Sequence, residues 1–318
     1  LLTDARFARH IYDPRFRFAT TRPTLRRIAG WTRGNHRNHT LFAHRSRLPS
    51  HCFSPIPPPP PPPSDATASA HPNISAATQA RHWLRGGYPL SFLAKNDADS
   101  HAWRDQFIRQ FLERDIPRLG ITISAQQLRR FWMMLAHYHG QTWNAAELAN
   151  SLGVSAPTIR HYLDILTQTF MIRQLQPWHE NIAKRQVKAA KIHFRDSGLF
   201  HALLGLRDRN ALLQHPRLGA SWEGYAIEEI LRAVAPDEAF FWGVHSGPEL
   251  DLLCFERGRR IGYEIKYRDA PKLTASMVAA RQLLHLDELR VVYPGTQAYP
   301  LDHDIHVHPL TSILQLAA

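Results

Sequence analysis

Gly247-Pro-Glu-Leu-Asp251 and Gly262-Tyr-Glu264-Ile-Lys266 bound the stretch around which the whole chain is organised. Leu250 to Phe255 and Ile261 to Tyr267 are β-rich runs, and the polar Glu256-Arg-Gly258-Arg-Arg260 between them predicts a hairpin. Residues two apart on a strand share a face, so Glu264 and Lys266 project together while Ile265 turns to a core. Asp251 arrives beside them from the partner strand. Two carboxylates at one point, Asp251 and Glu264, suit a hard divalent cation such as Mg2+, and a neighbouring lysine can orient or deprotonate a metal-bound water. The chemistry that such a centre serves is phosphodiester hydrolysis. The alternative reading of Glu264-Ile-Lys266 is a solvated ion pair on a strand edge.

This arrangement resembles the PD-(D/E)xK nuclease superfamily, in which an acid on one strand precedes an acid-x-lysine triplet on the next. The proline usually found before the first acid is absent, since the sequence reads Glu249-Leu-Asp251. Upstream, Ser221-Trp-Glu223-Gly-Tyr-Ala-Ile-Glu-Glu-Ile-Leu-Arg232 has helical spacing, with Ser221 as the expected N-cap. The resemblance implies a further acid from this helix, and Glu223 matches. The implied catalytic set is therefore Asp251, Glu264, Lys266 and Glu223, with Asp251 and Glu264 as the metal ligands.

Around this centre the 318 residues divide unevenly. The formal charge is +12, but residues 1 to 80 hold eleven arginines, no lysine and three acids, Asp4, Asp13 and Asp65, leaving +8 there. The remainder carries only +4, so overall basicity says little about nucleic acid. Residues 1–80 have neither helical nor strand periodicity, contain the run Pro57 to Pro63, and read as a disordered leader with a polyproline II stretch. The chain starts at Leu1 and its first methionine is Met133, which points to a fragment or a translated upstream stretch; a basic nucleic-acid-binding arm is the alternative for this leader. Cys52 and Cys254 give no disulfide framework, consistent with a reducing cytoplasm. No apolar run is long enough to span a bilayer, so no membrane partner is expected.

Residues 81–120 read as a helical segment. Arg85-Gly86-Gly87-Tyr88-Pro89 with Glu113-Arg114-Asp115 resembles the segment following the nucleotide-binding core in a large group of prokaryotic AAA-type ATPases, whose C-terminal half is a domain of unknown function. The likeness continues through Phe194-Arg-Asp196-Ser-Gly198, His215-Pro-Arg-Leu-Gly219-Ala-Ser-Trp-Glu223 and Val292-Tyr-Pro294-Gly, covering residues 81–318. It implies that residues 81–120 are the remnant of an ATPase lid. None of the six lysines follows a glycine, so the G-x-x-x-x-G-K-[ST] phosphate loop is absent from these residues. ATP is therefore expected only in intact relatives, and Arg85 and Arg114 are read as capping or structural groups.

Residues 121–198 resemble a winged helix-turn-helix. Leu128 to His139 is a first helix, Asn144-Ala-Ala-Glu147 starts a second with a capping box, and Ser155-Ala-Pro157 starts a third. Third helices of this kind enter the major groove, making Ser155, Thr158, Arg160 and His161 candidate DNA contacts. Strands Met171 to Pro177 and Ala190 to Arg195 form the expected wing, with Lys184, Arg185 and Lys188 at its tip suited to phosphates. Winged helices also serve protein partners, so double-stranded DNA and a protein both stand as candidates.

Residues 199–318 form the expected restriction-endonuclease-like α/β domain, with a central mixed sheet. Its His306 and His308 share a strand face but lack a placed further ligand, and read as an ordinary strand. The functional expectation is a truncated member of the ATPase family whose winged-helix and nuclease-like region recognises DNA or a partner. A Mg2+-dependent endonuclease and a nonfunctional gene fragment are the alternatives.

Overall fold

The computed structural model describes residues 75–182 and 186–316. The disordered leader expected for residues 1–80 thus lies almost wholly outside the described residues, as do Lys184 and Arg185. Among the described residues the fold is mixed α/β, and no helix is long and apolar enough to cross a membrane.

The first part is helical. Helix α1 (Ala76–Arg85) is capped by Ser75, and α2 (Pro89–Phe92) begins on a proline, which suits a helix start because the missing N–H has no partner there anyway. Helix α3 (Asp97–Gln110) starts on Asn96, which accepts from the Asp99 amide, and passes through a π-turn at Phe111–Asp115 into α4 (Ile116–Arg118). Arg85 pairs with Asp97 at 2.7 Å and donates to the carbonyls of Phe92 and Ala94, so it ties α1 to α3, the structural role read from the sequence.

Two stretches singled out in the sequence meet here. Asp196 caps α8 (Ser197–Leu203) by accepting from Leu199, and its other oxygen accepts from the Gly87 amide at 2.8 Å. A Cβ at Gly198 would collide with the Arg85 carbonyl. Arg85-Gly86-Gly87 and Asp196-Ser-Gly198 are therefore two halves of one close backbone contact, and their glycines serve packing.

The next unit runs α5 (Ala125–Tyr138), β1 (Gln141–Thr142), α6 (Ala145–Leu152), α7 (Ala156–Gln168), β2 (Ile172–Leu175) and β3 (Lys191–Phe194). Asn144 caps α6, and Gly153 ends it in the left-handed region at φ 66°, a geometry that favours glycine. Ser155 caps α7 by accepting from Thr158. The small sheet has the order β1-β3-β2, all antiparallel, so β3 is its central strand. Leu128, Phe131, Trp132, Leu135, Ile159, Leu163 and Leu166 fill the core beneath it.

After α9 (Arg209–Leu213), the long α10 (Leu218–Val234) packs against a six-stranded sheet. Its strands are β4 (Glu238–Gly243), β5 (Glu249–Glu256), β6 (Arg259–Ile265), β7 (Glu288–Tyr293), β8 (Tyr299–Asp302) and β9 (Ile305–Pro309), in the order β4-β5-β6-β7-β9-β8. β4, β5 and β6 are antiparallel neighbours, whereas β6-β7 and β7-β9 are parallel, so the sheet is mixed. The parallel step from β6 to β7 needs a crossover, which α11 (Ala275–Leu284) supplies. Helix α12 (Leu310–Leu316) returns to pack on α10. Ile227, Ile230, Leu252, Tyr263 and Ile265 share one core, and Met277, Leu284, Leu289 and Val291 share another.

Helix α10 begins at Leu218, one turn before the start expected at Ser221. Ser221 is no cap: its buried hydroxyl accepts from the Trp83 indole at 3.0 Å and lies 2.7 Å from His201 Nε2, joining α1, α8 and α10. The wing also departs from expectation. Between β2 and β3 the chain runs along the edge strand β4, where Phe241 N donates to Gln176 O, Trp178 N to Phe241 O and Val187 N to Gly243 O. That pairing covers a sheet edge that would otherwise expose its backbone groups. Arg173 of β2 forks onto both oxygens of Glu228 on α10, with Arg195 3.4 Å from the same carboxylate.

The close contact at Gly198 gives a direct test. Gly198→Ala should lower stability by about 2 kcal/mol or more, since the obstacle is rigid backbone. Gly219→Ala, where an added Cβ meets nothing, should be neutral or stabilising by up to about 1 kcal/mol. Urea denaturation of the two variants measures the contrast; equal midpoints would contradict the packing described.

Candidate acidic site

Helix α10 can bring a carboxylate to the sheet because it carries a glycine at the right place. A Cβ at Gly224 would collide with the His139 ring and touch His193, so only glycine lets this turn approach the small sheet so closely. Glu223, the preceding residue, is then held beside Lys191 of β3, with Nζ to Oε1 at 3.9 Å. The same Nζ lies 3.9 Å from Oδ1 of Asp251 on β5. Asp251 is itself fixed, because its Oδ2 accepts from the Ile265 amide of β6 at 2.8 Å. Beyond that amide sits Glu264, whose Oε1 is 2.6 Å from Lys266 Nζ.

Glu223, Asp251, Glu264 and Lys266 thus gather in one neighbourhood, and Ile265 between the last two turns into the core shared with α10. Asp251 and Glu264 are only 6% and 4% exposed. Glu264-Ile-Lys266 is consequently not a solvated edge pair, since β6 lies inside the sheet. Sequence reading did not include Lys191, which is 7% exposed and sits over the Phe241 ring at 5.2 Å.

The electrostatics follow from crowding three acids into a poorly hydrated place. Burial, and then the neighbouring Asp251 charge, push the Glu223 and Glu264 carboxyls up to about 8, even though Lys191 and Lys266 pull them down. Burial disfavours the Lys191 ammonium, but Glu223, Asp251, Glu249 and Glu264 outweigh it and raise its affinity for the proton. Lys266 is raised in the same way, with Glu264 and Asp251 overcoming burial. Glu249 adds a further negative charge to this neighbourhood, and near neutral pH the raised carboxyls of Glu223 and Glu264 tend to hold their protons. Glu223 Oε1 and Glu264 Oε2 have no hydrogen-bond partner.

The donor set is of the kind that Mg2+ prefers, all carboxylate oxygen. Its arrangement is different: among the described residues no group of three or more His, Cys, Asp or Glu side chains is positioned to hold a metal ion. The ammonium of Lys191 stands against two of the three acids instead. The residues as placed do not fit a divalent ion. His306 and His308 lie on β9 with ring centroids 6.3 Å apart, outside any such group.

Beside the acids lies a layer of buried imidazoles. His139 Nδ1 accepts from the Phe194 amide at 3.0 Å, while neither ring nitrogen of His193 has a hydrogen-bond partner. Burial, reinforced by the charges of Lys191 and Arg173, lowers His193 to about 3 and keeps it neutral.

The candidate nucleic-acid residues lie on the preceding unit. Ser155, Arg160 and His161 are exposed on α7 and Thr158 is half-buried, its hydroxyl 2.8 Å from Ser155 Oγ. Lys188 is exposed on the chain that runs past β4.

Residues 77–210 match a family described as Domain of unknown function (DUF8612), and residues 218–313 match Domain of unknown function (DUF4143). An uncharacterized protein of Mycobacterium bovis and one of Mycobacterium tuberculosis are each 47% identical to the chain over 242 residues, or 76% of this chain and 55% of theirs. The chain spans about half the length of the curated relatives it matches. No solved structure matches it.

The raised carboxyls make stability depend on pH. In the folded state they hold protons that an unfolded chain releases near the ordinary glutamate value, so stability is greatest below that value and falls as pH rises toward 8. The loss should fall mainly between pH 5 and 8. Glu223→Gln combined with Glu264→Gln should flatten this slope. Thermal unfolding at a series of pH values checks it, and an unchanged slope in the double variant would contradict the assignment.

Proposed function

We propose that this chain is the recognition part of an AAA-type ATPase-associated protein, in which a winged-helix unit docks on double-stranded DNA and a nuclease-like domain supports it as a scaffold. The observation that carries this reading is the order helix, strand, helix, turn, helix and two strands from α5 to β3, with one face of α7 outward. Ile159, Tyr162, Leu163, Ile165 and Leu166 of α7 are buried and Arg160 and His161 on the opposite side are exposed, which supports that side as the face for a partner. Such a helix reads base edges from a major groove, while cationic side chains on the connecting segment meet phosphates. Lys188, and in the sequence Lys184 and Arg185, supply that second element.

The nuclease-like reading of the C-terminal domain is supported by the hairpin that carries Asp251 and Glu264-Ile-Lys266, by the mixed sheet, and by Glu223 arriving from a preceding helix. A scaffold role is favoured over cleavage because the Lys191 ammonium stands against Glu223 and Asp251. Membership of an ATPase-containing protein is supported by the sequence likeness of residues 81–318 and by the match to a domain commonly found beside AAA-type cores.

Fluorescence anisotropy with a labelled duplex tests the reading. Arg160→Ala with His161→Ala should weaken binding at least about tenfold, and affinity should fall steeply between about 50 and 200 mM salt. No binding at low salt would remove DNA and leave a protein partner. Plasmid nicking that needs Mg2+ and disappears in Glu264→Ala would replace the scaffold role with an endonuclease.

A further inference from the structure

We propose that the cleft between α3, α5 and the turn after α8 binds a small amphipathic anion, with Arg129 and Arg207 taking its carboxylate or phosphate head and Met133 and Leu203 packing on its apolar body.

The cleft follows from where three elements place their side chains. His101, Asp105 and Ile108 recur at helical spacing on α3 and line one wall. Arg129 and Met133, one turn apart on α5, line a second. The third comes from the end of α8, where Gly205 adopts a left-handed φ of 72° that suits glycine. This turn brings the Leu206 amide back to the His201 carbonyl at 2.9 Å and buries Leu206, while Arg207 is exposed and lines the cleft. The space between the three walls is about 370 Å³, within the range of sites for small organic molecules.

The lining is of two kinds. Ile108, Ala202 and Leu203 are buried and supply apolar surface. Met133 lines the same space yet is 42% exposed, so an apolar wall there faces solvent. A methionine adapts its shape to whatever packs on it. Arg129 and Arg207 are both exposed, and neither has an ion pair with an acid among the described residues. Guanidiniums with unused donors select a carboxylate or phosphate over a neutral group. Asp105 is the one acid among the described lining residues, and it lies 3.4 Å from His101 Nε2.

His101 gives a separate sign of a missing partner. Its side chain is only 12% exposed, and its Nδ1 is buried without a hydrogen-bond partner. Leaving such a nitrogen unsatisfied costs free energy that a polar atom of a ligand recovers. Burial lowers the proton affinity of the ring; Asp105 opposes this, and Arg104 and Arg207 reinforce it. The imidazole is therefore neutral near pH 7, and two arginines stand against one carboxylate, a lining that favours an anion. The cleft shares no residue with the acidic site or with the α7 residues assigned to DNA.

Anilinonaphthalene sulfonate, an aromatic anion that fluoresces on leaving water, serves as the probe on the full chain. The wild type should bind it at one saturable site. Arg129→Ala with Arg207→Ala should weaken that binding at least about tenfold, and Met133→Trp, which narrows the cleft from an exposed position, should weaken it too. Octanoate and octyl phosphate should displace the dye, the tighter of the two identifying the head group. Octanol and inorganic phosphate, each lacking one half of the ligand, should not. Octanoate should also raise the melting temperature of the wild type and leave that of the paired arginine variant unchanged. The proposal is overturned if no saturable site is found, or if the paired variant binds the dye with less than about a tenfold loss. It is equally overturned if octanol or inorganic phosphate displaces the dye as well as octanoate does.

Discussion

The contact on which the structure turns is that of one lysine ammonium with two carboxylates from separate elements. Lys191 reaches from the small sheet to Glu223 on α10 and Asp251 on β5, at 3.9 Å from each. Moving an ammonium out of water costs several kcal/mol, and only opposite charges held in place offset that cost. Gly224 makes the approach possible, and the Ile265 amide fixes Asp251 in position to receive it. The unit that bears the small sheet and the mixed sheet are therefore joined by charge as well as by apolar packing.

A second ionic join lies farther along α10, where Arg173 and Arg195 share Glu228. Together with the segment that runs along β4, these contacts bind the β2-β3 connection to the C-terminal sheet. A connection held this way is not an independent arm. The segment between β2 and β3 lines one edge of the mixed sheet, and β3 carries Lys191.

Much of this was legible from residue order. Period-two patterning around Asp251 and Glu264-Ile-Lys266 identified the hairpin, helical spacing placed Glu223 on the helix before it, and the capping residues Asn144 and Ser155 marked α6 and α7 within a residue. Lys191 was not legible, because its partners are set by how β3 docks on α10, a long-range contact that no local period reports. Its trace in the sequence is a lysine set among Ala189, Ala190, Ile192 and Phe194 in a strand-like run, where a charged side chain has to find buried partners. Ser221 misled for a related reason. A serine before an apolar run imitates a helix start, whereas here the helix begins earlier and the hydroxyl serves Trp83 and His201. The glycines of Arg85-Gly86-Gly87 and Asp196-Ser-Gly198 stood out as family-like motifs, but only their mutual contact explains them.

The central claim, that Lys191 and Asp251 interact across the two units, is measured most directly by a double-mutant cycle. Lys191→Met, Asp251→Asn and the pair together, compared by equilibrium denaturation, should show a coupling energy of about 1 kcal/mol or more. Additivity within about 0.5 kcal/mol would mean that the two side chains do not meet as described.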